Sequence, residues 1–123
     1  MPNAKPLAVV IEPRSGLAGT LAEALHAKGF EVMVASTHAG AANLVVAQAR
    51  VDFLIAAVPA PGEDRSGAYL EVARAQNPDL AVVIMLSDPN EKIDGAPAAA
   101  VRLVKPFDRT QLEAAILEAM QAR

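Results

Sequence analysis

Apolar positions gather in short runs, separated by longer stretches in which they recur at helical spacing. The runs are Leu7–Ile11 (LAVVI), Glu31–Ser36 (EVMVAS), Asp52–Val58 (DFLIAAV), Leu80–Leu86 (LAVVIML) and the shorter Val101–Val104 (VRLV). Each has strand length, and most are rich in β-branched residues. The first, third and fourth are almost unbroken in apolar residues, the pattern of parallel strands covered on both faces.

The stretches between read as helices. SGLAGTLAEALHAKGF places Leu17, Leu21, Ala24 and Leu25 on one face, with Gly29 as a C-terminal stop. THAGAANLVVAQAR repeats the pattern with Leu44, Val45 and Ala49 after a cap at Ser36 or Thr37. SGAYLEVARAQNP starts at Ser66 and is closed by Asn77-Pro78. DRTQLEAAILEAMQAR starts at an Asp108 cap and buries Leu112, Ala115, Ile116 and Met120. The fourth linker, SDPNEKIDGAPAAA, carries two prolines and a glycine, which predicts a short or irregular helix. Repeated β-α alternation predicts an α/β fold, a parallel sheet with helices on both faces. No repeat, low-complexity tract or linker divides the chain, so residues 1–123 read as one domain.

Composition narrows the chemistry. The chain has 123 residues, 53% hydrophobic but only 3% aromatic, so the core is expected to be small and aliphatic. A net charge of −3 without a basic stripe argues against nucleic acid as a partner. With no cysteine there is no disulfide, thiolate metal site or cysteine catalysis. The apolar run before Glu12 is too short for a signal sequence or a membrane span. A soluble cytoplasmic protein with no membrane partner is the expectation.

Generic catalytic motifs are absent: no Gly-rich phosphate loop, no metal-binding His pair and no G-x-S-x-G elbow. His26 and His38 have no second ligand at useful spacing and read as surface or rim histidines. Without a nucleophile–base pair, an enzyme is not expected. The informative segment is LVKPFD, Leu103–Asp108. A short strand delivers Lys105 to its C-terminal end, and Pro106 turns the chain towards the last helix. Glu12 ends the first strand and Ser87 the fourth, so a cation, a carboxylate and a hydroxyl are predicted to converge where strands end, the usual place for function in open α/β sheets.

On these residues the whole chain resembles the receiver domains of two-component response regulators. The resemblance rests on the order of elements, the Pro61-Gly62 after the third strand, Ser87 after VVIML, and KPF in the fifth loop. It implies a flavodoxin-like (βα)5 doubly wound sheet of strand order 2-1-3-4-5. It also implies a mechanism: an aspartate at the end of the third strand takes a phosphoryl group beside a divalent metal, assisted by a lysine and a Ser/Thr. Lys105 and Ser87 match the lysine and the hydroxyl. The acidic pair falls on Ile11 and Glu12, so one acid survives; the phosphoacceptor falls on Ala57, the carbonyl donor on Pro59, and the aromatic switch position on Arg102.

These departures strike the mechanism. A methyl group cannot accept a phosphoryl group, one carboxylate facing one lysine leaves little charge to hold Mg²⁺, and Arg102 cannot bury itself as an aromatic side chain does. No catalytic residue, metal or cofactor is therefore expected. Because Ile11 is missing as an acid too, natural loss explains Ala57 better than a single engineered substitution. Lys105 and Glu12 are expected to pair, within about 6 Å. The resulting expectation is an atypical, phosphorylation-independent receiver (a pseudo-receiver) acting through protein contacts, with a histidine kinase or output protein as partner. The resemblance points to the fourth linker, fifth strand and last helix as the partner or homodimer face, with Lys92, Ile93, Arg102 and Arg109 as candidates. Met1 and an end close after the last helix suit a stand-alone protein, although a receiver of a larger regulator or hybrid kinase would look the same. A small anion- or ligand-binding domain on the same architecture is the other reading, with Lys105, Ser87 and backbone N–H groups near Ala57 as its donors.

Overall fold

The computed structural model describes residues 6–12, 14–35, 51–57, 80–87, 90 and 100–122. Within them lie β1 (Leu7–Ile11), α1 (Ser15–Ala27), β2 (Glu31–Ala35), β3 (Phe53–Ala57), β4 (Ala81–Leu86), β5 (Val101–Val104) and α2 (Arg109–Ala122). The five strands form one sheet in the order β2-β1-β3-β4-β5, with every neighbouring pair parallel. This is the flavodoxin-like order and the α/β class expected of the chain. The helices expected between Ser36 and Arg50 and between Ser66 and Pro78, and the irregular fourth linker, lie outside the described residues.

Strand alternation divides the core into two layers. On one face Ala8, Val10, Phe53, Ile55, Ala57, Val83, Met85 and Leu103 pack with the buried sides of α1 and α2. On the other, Val9, Ile11, Leu54, Ala56, Val82, Ile84 and Leu86 form a second cluster. All of β3 and β4 is buried, as their unbroken apolar sequences require. β2, at the sheet edge, is only half covered, and Val34 is exposed.

The helix ends are set locally. The N–H of Gly29 bonds to the His26 carbonyl at 3.0 Å, and that of Phe30 to the Leu25 carbonyl at 3.1 Å. This double closure needs a left-handed residue, supplied by Gly29 at φ +93°. At the start of α2, Gln111 N–H donates to Asp108 Oδ1 at 2.7 Å while Asp108 N–H donates to Gln111 Oε1 at 2.9 Å, a reciprocal cap at the expected residue.

Two expected core positions shift. Leu17 and Met120 are half-buried, whereas Ala18 and Ala119 lie in the core. Small alanines let each helix lie close to the sheet, and the neighbouring long side chains reach around the rim of the contact. Two strands also begin one residue later than expected, at Phe53 rather than Asp52 and at Ala81 rather than Leu80.

Candidate functional site

The C-terminal ends of the strands place the candidate residues. Backbone pairing runs one residue past two of them: Glu12 N–H donates to the Ala35 carbonyl at 3.0 Å, and Lys105 N–H to the Leu86 carbonyl at 2.7 Å. Ile11 is in register with Ala56, so Glu12 comes level with Ala57. Alternation then decides the side. Ala57, Met85 and Leu103 face α1 and α2. Glu12, in line with Ala57, and Ser87 and Lys105, two residues beyond Met85 and Leu103, fall on the same side.

Glu12 and Lys105 meet there. Lys105 Nζ donates to Glu12 Oε1 at 2.7 Å. The carboxylate is fully buried and the lysine side chain is 21% exposed. The second oxygen, Oε2, accepts the backbone N–H of Arg14 at 3.0 Å. The expected pair therefore forms as a direct, charge-assisted hydrogen bond, the arrangement a buried carboxylate needs to offset its desolvation. The Lys105–Pro106 peptide bond is cis.

The other expected residues divide. Ala57 closes β3 with its methyl group almost fully buried, and Ser87 follows β4 in an exposed position. Ile11 does not reach this group. It is the last residue of β1 and packs wholly buried in the second core layer, on the opposite face from Glu12. Arg102 lies exposed on β5, as its charge demands, and Arg109 pairs with Glu113 at 2.9 Å one helical turn on. His26 is exposed and hydrogen-bonded through Nδ1 to the Phe30 carbonyl at 3.1 Å. Pro59, Lys92, Ile93 and His38 lie outside the described residues. Among the described residues no cluster of three or more His, Cys, Asp or Glu could hold a metal ion. No helix among them is long and apolar enough to cross a membrane.

Two features escape the sequence reading. One is the Arg14 backbone donor, which holds the far oxygen of Glu12. Such a bond to the N–H two residues on is the habit of the shorter Asp, Asn, Ser and Thr, so a Glu-Pro-Arg sequence does not announce it. The other is an open cleft of about 440 Å³ lined by Arg14, Leu17, Ser87, Lys105, Pro106 and Phe107.

No family model and no curated protein sequence matches this chain. Solved structures do resemble it. A response regulator receiver protein from Sinorhizobium medicae superposes with a TM-score of 0.82 at 21% identity, covering 96% of each chain. The signal receiver domain of an HD domain-containing protein from Pseudomonas fluorescens gives 0.76 at 20% identity, over 98% of this chain and 90% of that one. A response regulator from Burkholderia pseudomallei, solved with a phosphorylated aspartic acid, a calcium ion and citrate, gives 0.68 at 23% identity over 94% of this chain and 66% of that one. With its sheet order, its lysine after β5 and its acid after β1, the chain has the fold of response-regulator receiver domains.

Proposed function

We propose that this chain is a phosphorylation-independent receiver domain that serves two-component signal transduction through protein–protein contact. The observation that carries this reading is the Lys105–Glu12 hydrogen bond at 2.7 Å beside a β3 that ends in Ala57. Phosphoryl transfer to a side chain requires an acceptor oxygen, cations on the transferring group and a positioned metal. Ala57 offers no oxygen. The carboxylate that would help hold the metal is buried and already neutralised by the lysine that would otherwise face the phosphoryl oxygens. What the fold retains is a rigid scaffold with exposed faces, and the exposed Arg102 on β5 and Arg109 on α2 supply charged contacts for a partner there.

Incubation of the full chain with acetyl phosphate and Mg²⁺, read by intact mass, tests the first half of the reading. The mass is expected to stay unchanged, and a stoichiometric gain of one phosphate overturns it. Capture of partners by wild type and by Arg102→Ala and Arg109→Ala variants tests the second. Loss of capture in the variants supports the β5–α2 face; equal capture of the same proteins removes it.

A further inference from the structure

The cleft beside the ion pair has a character of its own. Lys105 of the pair and Ser87 line it, while Glu12 and Ala57 are not among its described lining residues, so it opens on the lysine side of the pair. At about 440 Å³ it falls within the roughly 300–1,000 Å³ range of small-molecule pockets. We propose that it binds a small organic monocarboxylate with an apolar body.

Charge fixes the number of negative groups. Glu12 and Lys105 neutralise each other at 2.7 Å. Arg14 holds Glu12 through its backbone N–H, and among the described residues no hydrogen bond or ion pair engages its guanidinium. Among the described residues the lining thus presents one uncompensated positive charge, on a chain whose net charge is −3. A planar guanidinium matches a carboxylate with two parallel N–H donors. Lys105, also in the lining, spends one of its three ammonium protons on Glu12 and, being 21% exposed, has others to offer.

Shape fixes the remainder. Leu17 and Phe107 are half-buried, and with Pro106 they give the cleft an apolar part of its lining beside the cations. An inorganic anion would satisfy the charge and leave that part wet. A neutral apolar molecule would cover it and leave Arg14 to water. A single carboxylate on a ring or short chain satisfies both. This goes beyond the reading above and does not depend on it: phosphate labelling would overturn that reading and leave the cleft as it is.

The test is a titration of the isotope-labelled full chain with benzoate, 2-naphthoate and decanoate, followed by amide chemical shifts. At least one should saturate, with the shifts centred on Leu17 and Phe107. The neutral 2-naphthamide and inorganic phosphate should each bind at least about tenfold more weakly, the factor that corresponds to one lost contact of about 1.4 kcal/mol. Arg14→Gln, at an exposed position whose backbone N–H to Glu12 is kept, should weaken carboxylate binding by about the same factor with the spectrum otherwise preserved. Failure of all three carboxylates to saturate, equal binding of the amide or of phosphate, or unchanged affinity in Arg14→Gln would each overturn the proposal.

Discussion

Among the described residues two carboxylates are buried, one at each end of the sheet, and they are held for different purposes. Glu12, beyond the C-terminal end of β1, reaches a lysine that follows β5, with β3 and β4 lying between those strands. Asp52, just before β3, binds its immediate neighbours. Its Oδ2 accepts the Leu7 N–H at 2.9 Å, its own N–H donates to the Leu7 carbonyl at 2.9 Å, and its carbonyl accepts the Ala81 N–H at 3.1 Å. Asp52 is a clip that aligns the starts of β1, β3 and β4. Glu12 is a bridge over the sheet's other end, and its partner is a full charge. Burial and residue type alone would class the two together; the strands that each is seen to join separate them.

The comparison breaks most visibly at the bridge. Lys105→Met leaves Glu12 buried with one oxygen unpaired, and breaking a buried pair from one side costs about 3 kcal/mol. Chemical denaturation should show a lower midpoint with an unchanged slope. The double variant Glu12→Leu/Lys105→Met should recover to within about 1 kcal/mol of wild type, because apolar groups of similar size need no partner. If the double variant is as unstable as the single one, the bridge stabilises through packing rather than charge. At the clip, Asp52→Ala should cost about 2 kcal/mol, the range for a hydrogen bond to a charged group. Asp52→Asn, whose carbonyl can still accept the Leu7 N–H, should cost about half as much. Hydrogen exchange in Asp52→Ala should accelerate first at the Leu7 amide, and uniform acceleration across the sheet would refute a local clip. The smallest effect belongs to the exposed Arg109–Glu113 pair. Arg109→Gln should change stability by no more than about 0.5 kcal/mol, which makes it the reference for a charge contact without burial.

Much of this was legible in the sequence because each signal was local. Unbroken apolar runs marked β3 and β4 as central strands, Gly29 marked the end of α1, and Asp108 marked the start of α2. Lys105 and Glu12 could be paired in advance because both end strands on the same side of an open sheet. Sidedness was the harder part. Counting along the chain places Ile11 and Glu12 next to each other, but adjacent strand residues point to opposite faces, and only one of them can meet Lys105. The cleft was invisible for a related reason. Its walls come from the start of α1, the end of β4 and the loop after β5, which no spacing along the chain connects.

The bridge also bears on time. Glu12 and Lys105 are 93 residues apart, and the sheet that brings them together sets β3 and β4 between their strands. A contact of such long sequence separation is expected to form late, and so to add little to the folding transition state and much to the barrier against unfolding. Stopped-flow measurements on Lys105→Met should find refolding almost unchanged and unfolding faster by about a hundredfold. The contact at the mouth of the sheet would thereby act as a latch on the lifetime of the folded chain, setting how long the scaffold persists once it has assembled.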